Sequence, residues 1–397
     1  MNRLRRVHPS RWLPALAAAL LLFAGCGGGV GEEGTGGGSS YAQGAINGFG
    51  SVIVNGVRYD DSAAEVRDVD GTRRSSADLR LGMTVEIEAG AVTQTATGPV
   101  ASARNIRYAS ELLGPVSAID PANNRFTLLG QTVQLGAGTV FDARLAGGLA
   151  ALAVGDLVEV HAAADPAGGR YRATRVEPRA TAASHRIRGI VQQLDTAART
   201  FRIGGAAFSY AGASGVPAGI ANGSFVRLQL QPLAAGAGSW TVLSFASAVS
   251  APADGQEARL RGLVSSFTSS SDFQVNGQRV DAAAARFPDG TLGLALGVRV
   301  EVEGRVQGGV LRADEVAIDS DDEDDARGFE LEGALSGLDT VARTFVLRGV
   351  LVSYASPTLR LDDGTLADLA NGRVIEVKGR LGLDGITLVA DEIDFTP

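Results

Sequence analysis

Cysteine is almost missing from this chain: Cys26 is the only one in 397 residues. No intrachain disulfide can form, and no thiolate cluster can hold zinc or an iron–sulfur centre. Histidine is nearly as scarce. Beyond His8 there are only His161 and His185, with neither HxH nor HxxxH spacing. They read as ordinary surface residues. A Ser-His-Asp triad would need one of them, and the nearest serine context, GASG around Ser214, is not a G-x-S-x-G elbow. No glycine-rich loop follows a strand and opens a helix, which removes the usual phosphate cradle of nucleotide-binding proteins. Lys378 is the single lysine, and the net charge is −8. Residues 1–25 hold four arginines and no acid, so the charge without them is −12. An acidic chain is a poor partner for DNA or RNA, whose affinity comes mainly from basic side chains on phosphates.

What is abundant is glycine, 53 residues, set in a 45% hydrophobic and 20% charged background. With aromatics at 6%, this indicates a globular protein of many turns and small cores, stabilised by packing alone. The N-terminus reads as a leader. Arg3, Arg5, Arg6 and Arg11 precede the apolar run LPALAAALLLFAG, too short to span a bilayer comfortably. The run Leu22-Phe23-Ala24-Gly25-Cys26 resembles the lipobox of bacterial lipoproteins, with Phe23 where leucine is usual. That resemblance implies acylation of Cys26 (palmitate being a typical chain), cleavage before it and a stable lipid anchor. Gly27 stands where an inner-membrane retention Asp would, which favours the outer membrane. Residues 26–40 form a Gly/Ser-rich tether.

Beyond the tether three signatures recur in the same order five times. The first is an apolar residue at i and i+2 with glycine at i+4: Val52/Val54, Phe126/Leu128, Phe201/Ile203, Phe273/Val275 and Phe345/Leu347. Period two marks a strand, and Asn55-Gly56 and Asn276-Gly277 are strong hairpin turns. The second is Gly-x-x-Val-x-Val, beginning at Gly82, Gly155, Gly223, Gly297 and Gly372. Its middle residue is Glu86, Glu159, Glu301 or Glu376, and Arg227 in the third copy. The third is Ala-x-x-Val/Ile: Ala103/Ile106, Ala173/Val176, Ala246/Val249, Ala313/Val316 and Ala390/Ile393. A further strand opens most copies, and one short helical turn fits between the third and fourth strands.

The expected fold is therefore all-β: five tandem small β-barrels of the oligonucleotide/oligosaccharide-binding type, each of about five strands and a short helix. The boundaries fall at 41–109, 110–180, 186–250, 257–319 and 328–397, with an acidic linker at 320–327. INGFGSVIVNGVRYDDSAA followed by LRLGMTVEIEAG resembles the bacterial family known as domain of unknown function 5666. The resemblance extends over residues 44–395, closest in repeats one, two, four and five and least in three. It implies a secreted or lipid-anchored tandem-domain protein and brings no catalytic residues.

The remaining candidates have plain alternatives. The Glu of the second signature should face water and discourage edge pairing rather than form a catalytic carboxylate pair. Asp319, Asp321, Glu323 and Glu330 match ligand positions one, three, five and twelve of a calcium loop. Asp324 stands where that loop needs glycine, so weak Ca²⁺ attraction by a solvated linker is the alternative. Asp68-Val69-Asp70-Gly71 is a shorter version. Tyr41, Tyr59, Tyr108, Tyr171, Tyr210, Tyr354 and Trp240 could line a groove but fit packing positions. No other cofactor is implied. The sequence points to a non-enzymatic envelope lipoprotein, a spacer or binding scaffold. The alternatives are a polysaccharide- or protein-binding module with a defined groove, and an envelope hydrolase with its site in one repeat, gathering His161 or paired acids with arginine.

Overall fold

Side chains alternate across a strand, so residues two apart share a face, and in each repeat the apolar pairs take the inner face of a barrel. The computed structural model describes residues 39–165, 169–234, 238–246, 252–318 and 328–395. In it Val52, Val54, Phe126, Leu128, Phe201, Ile203, Phe273, Val275, Phe345 and Leu347 are all at most 2% exposed. Each contributes about 1.5–3 kcal/mol by leaving water. The second signature is equally buried, from Val85/Ile87 through Ile375/Val377. The third holds in four repeats. In repeat three Ala246 is half-buried, Val249 lies outside the described residues, and Val242 and Phe245 point inward instead. That last strand is set in a different register from the one its sequence suggests.

The first barrel is built from Ser39–Phe49, Val52–Val54, Val57–Asp60, Thr84–Gly90 and Gly98–Tyr108. The first strand pairs with the second and with the fourth, the second with the third, and the fifth with the fourth, all antiparallel. A parallel pairing of Arg58–Asp60 with Val100–Ser102 closes the circle. Strand order 1-2-3-5-4-1 is that of the expected barrel type. The other four repeats close the same way, through parallel third–fifth pairings at Thr132/Arg170, Ala207/Ser239, Val280/Leu311 and Leu351/Thr387. In repeats three and five the first strand is broken once, into His185–Ile190 and Gln192–Asp195, and Phe329–Ala334 and Ser336–Asp339. The expected helical turn is a short 3-10 segment in repeats one, two and five, at Ser76–Asp78, Ala143–Leu145 with Gly148–Ala151, and Leu366–Asp368. The described residues of repeats three and four contain none, so the helix is not a constant part of the unit.

The barrels are not strung out. First strands of different barrels pair directly: Ser40–Gln43 with Glu257–Leu260, and Gly48–Phe49 with Glu330–Leu331, both parallel. Leu112–Leu113 runs antiparallel to Arg186–Ile187. The second barrel touches the first where Thr174 Oγ1 donates to the Gly82 carbonyl at 2.7 Å. It meets the fifth where the Phe141 amide donates to the Gly385 carbonyl at 2.8 Å. Apolar interiors join in pairs, barrel one with five and two with three, while barrel four keeps its own cluster with Tyr41 of the first.

One glycine per first strand makes the closure possible. Asn55 and Gly56, like Asn276 and Gly277, both have positive φ, the backbone of a type I′ turn. The turn folds the asparagine side chain back over the first strand. There a Cβ on Gly262 would lie 2.2 Å from Asn276 Nδ2, and one on Gly44 2.3 Å from Asn55 Oδ1. Gly262→Ala should therefore destabilise the chain by about 1–3 kcal/mol, the cost of overpacking. Adding Asn276→Gly, which keeps the turn and removes the clash, should restore part of that loss in a urea titration. Two losses that merely add would show that the contact is not the cause.

Candidate functional site

The outward glutamates were expected in water, and two of them are not there. Glu86 is 6% and Glu159 7% exposed, and Arg227, at the same place in repeat three, is 6% exposed. Neighbouring barrels cover the outer face of the first and fourth strands, so positions that a lone barrel would expose are enclosed. His161 and His185, expected on the surface, are 1% and 5% exposed, His161 against Thr84 of the first barrel and His185 against Trp240 of its own.

Where the outer faces converge they leave a partly open chamber of ≈ 180 Å³. Every barrel contributes to its wall: Gln43 from the first, Arg172 from the second, Arg188 from the third, Arg261 from the fourth and Phe329 from the fifth. Arg299 and Glu111 add to it. The charged lining is thus four guanidinium groups and one carboxylate. Arg188 has two neighbours that hold it. Its guanidinium stacks over Phe225 at 4.7 Å from the ring centre, and its Nη1 lies 3.5 Å from Glu111. Glu111 also accepts the Ala162 amide at 2.8 Å. Burial, opposed by Arg188, raises its carboxyl to about 7.

Residues 114–177, 261–317 and 332–394 match the family described as a domain of unknown function, number 5666. The chain carries three copies of domain of unknown function 5666. The matches fall on repeats two, four and five, so the first repeat, whose segments suggested the family, lies outside them with the third. No curated protein matches the chain. Domain of unknown function 5666 indicates no enzymatic family.

The structure spreads most sequence candidates apart. Tyr41, Tyr59, Tyr171, Tyr210, Tyr354 and Trp240 are buried in packing positions, and Tyr108 is half-buried. Ser214 is exposed and far in sequence from His185, whose ring meets Trp240 edge-on at 5.8 Å. The Asp68 carboxylate accepts the Asp70 and Thr72 amides and pairs with Arg74. Cys26, Asp319, Asp321 and Glu323 lie outside the described residues. Glu330 is turned to Arg58, which also holds Glu376 at 3.0 Å. Among the described residues no group of three or more His, Cys, Asp or Glu is placed to hold a metal. None has a helix long and apolar enough to cross a membrane. Glu159 joins Ser110, Arg179 and Arg186 in an ionic network, with Arg186 Nη1 at 2.9 Å from Ser110 Oγ. Burial would push Glu159 up, but His161, Arg179, Ser110 and Arg186 hold it below the usual carboxylate value. The chamber arginines were missed because each repeat was read alone. A signal existed: Arg188-Gly189 and Arg261-Gly262 repeat the same dipeptide in the first strand.

Glu111 and His161 meet at Thr84. The Thr84 amide donates to His161 Nδ1 at 3.1 Å, and Thr84 Oγ1 lies 3.3 Å from Glu111. Burial pushes His161 down to about 4. Between pH 4.5 and 7 the folded chain keeps a proton on Glu111 that the unfolded chain has lost, so this group makes stability fall as pH rises. His161 does the opposite between pH 4 and 6.5, where only the unfolded chain is protonated. Each effect is on the order of 3 kcal/mol at about 1.36 kcal/mol per pH unit, and over pH 4.5–6.5 they nearly cancel. Denaturation from pH 5 to 6.5 should show stability rising with pH in Glu111→Gln and falling in His161→Gln. Parallel profiles in the two variants would contradict this.

Proposed function

We propose that the protein is a non-enzymatic binding protein of the cell envelope, anchored through acylated Cys26 in the outer membrane, with its ligand in the shared chamber. The observation that carries this reading is that all five barrels contribute side chains to one cavity. A spacer would gain nothing from such convergence and would be served by extended barrels. Tight inter-barrel strand pairing also argues against that role. The cavity is smaller than the about 300–1,000 Å³ of drug-sized sites, which suits a small ligand or one residue of a longer saccharide.

Catalysis finds less support. Thr84, His161 and Glu111 are the nearest approach to a catalytic trio. The His161 nitrogen facing Thr84 already accepts a backbone amide, and a group titrating near 4 is a weak base at neutral pH.

Two measurements test the proposal. Cells fed an alkyne-bearing palmitate should label the full chain, and Cys26→Ser should abolish the label; equal labelling would remove the anchor. Gly136 borders the chamber with open space where a Cβ would be, so Gly136→Trp should fill the mouth without straining the fold. Binding of the detergent-solubilised full chain to soluble envelope saccharides should drop at least tenfold in that variant. Undiminished binding, or turnover of ester or phosphate substrates, would sink the reading.

A further inference from the structure

Two buried arginines stand side by side with donor atoms left unpartnered. Arg188 and Arg227 are directly opposite each other on antiparallel strands of the third barrel. They are 4% and 6% exposed. Like charges at such a cross-strand position repel, and burial sharpens the cost because water no longer screens them. Arg188 Nη2 and the Nε and Nη2 of Arg227 have no hydrogen-bond partner. The repulsion also shows in titration: burial and then Arg188 pull Arg227 down to about 10. Glu86 and Glu111 lie near enough to oppose this, but Glu111 carries only a partial charge at neutral pH.

The wall beside Arg188 adds Arg172, Arg261 and Arg299. Each also engages groups of the protein, but a guanidinium has five donors in a planar fork and can serve a protein partner and a ligand together. A second orphan has the opposite character. Asn47, a residue of the chamber wall, carries a buried Oδ1 acceptor with no donor.

A ligand that answers both orphans must carry an oxyanion and a hydroxyl. We propose that the chamber binds a small hydroxylated anion of the sugar-acid class, its carboxylate on Arg188 and the neighbouring arginines and a hydroxyl on Asn47. This rests on the chamber being the binding site and adds the ligand's chemistry. The apolar ring of Phe329, in the wall, suits the C–H face of a sugar ring.

Calorimetry on the detergent-solubilised full chain at pH 6.5 would compare sodium galacturonate, galactose and sodium phosphate. Galacturonate should bind at least tenfold more tightly than galactose and more tightly than phosphate, and weaken as sodium chloride rises from 50 to 500 mM. Arg172→Gln, on a half-buried residue and so less dangerous to folding than a change at Arg188, should cost about tenfold for both anions. Asn47→Ala should weaken galacturonate several-fold and leave phosphate unchanged. Galactose matching galacturonate would overturn the charge argument while leaving the chamber a binding site. Phosphate matching galacturonate would overturn the hydroxyl requirement, and with it the sugar-acid class. No heat from galacturonate, or from sodium glucuronate and sodium gluconate titrated in the same way, overturns the inference outright. The Gly136→Trp result decides separately whether the chamber is used at all.

Discussion

A five-stranded barrel of about 65 residues can enclose few side chains, and a chain of that size hides only about 60% of its unfolded surface. The architecture follows from this shortage. Val52, Phe126, Phe201, Phe273 and Phe345 fill the barrels, but the interiors are too small to stabilise five independent units well. The outer faces of the first and fourth strands are therefore used as well. Strand pairing of barrel one with barrels four and five, and of two with three, gives backbone groups partners that a free edge would leave to water.

Using an outer face for packing changes the chemistry of every polar residue on it. A glutamate that discourages edge pairing in an isolated barrel becomes a buried charge needing a partner. Glu159 finds Arg179, Arg186 and Ser110. Glu111 finds Arg188 but keeps a raised carboxyl. His161 accepts a backbone amide and is held neutral. In the third barrel the substitution of Arg227 for glutamate reverses the sign, and there the balance fails. Arg188, directly opposite Arg227, is the third barrel's charged residue in the chamber wall. Repeats two, four and five, which match the family, supply the chamber's surroundings with the first.

Much of the fold was legible. Period-two apolar pairs with glycine at i+4 gave strands and turns, because burial of alternate side chains and the positive φ of Asn55-Gly56 and Asn276-Gly277 are local requirements. The Ala246/Val249 pair misled, since in a short strand Val242 and Phe245 fill the barrel better. The candidate site was scarcely legible. Its residues come from five repeats, and Arg172, Arg188, Arg261 and Arg299 each look like ordinary solvated charges in their own strand.

What the sequence by itself determined is the unit: alternating apolar residues, turn glycines and the order of five strands, all written within about 65 residues of one another. The tertiary structure decided which outer faces meet, and so which charges lose water. That could not be read beforehand, because desolvation of Arg188, Arg227 and Glu111 depends on surfaces brought together from distant parts of the chain, and no local pattern encodes them.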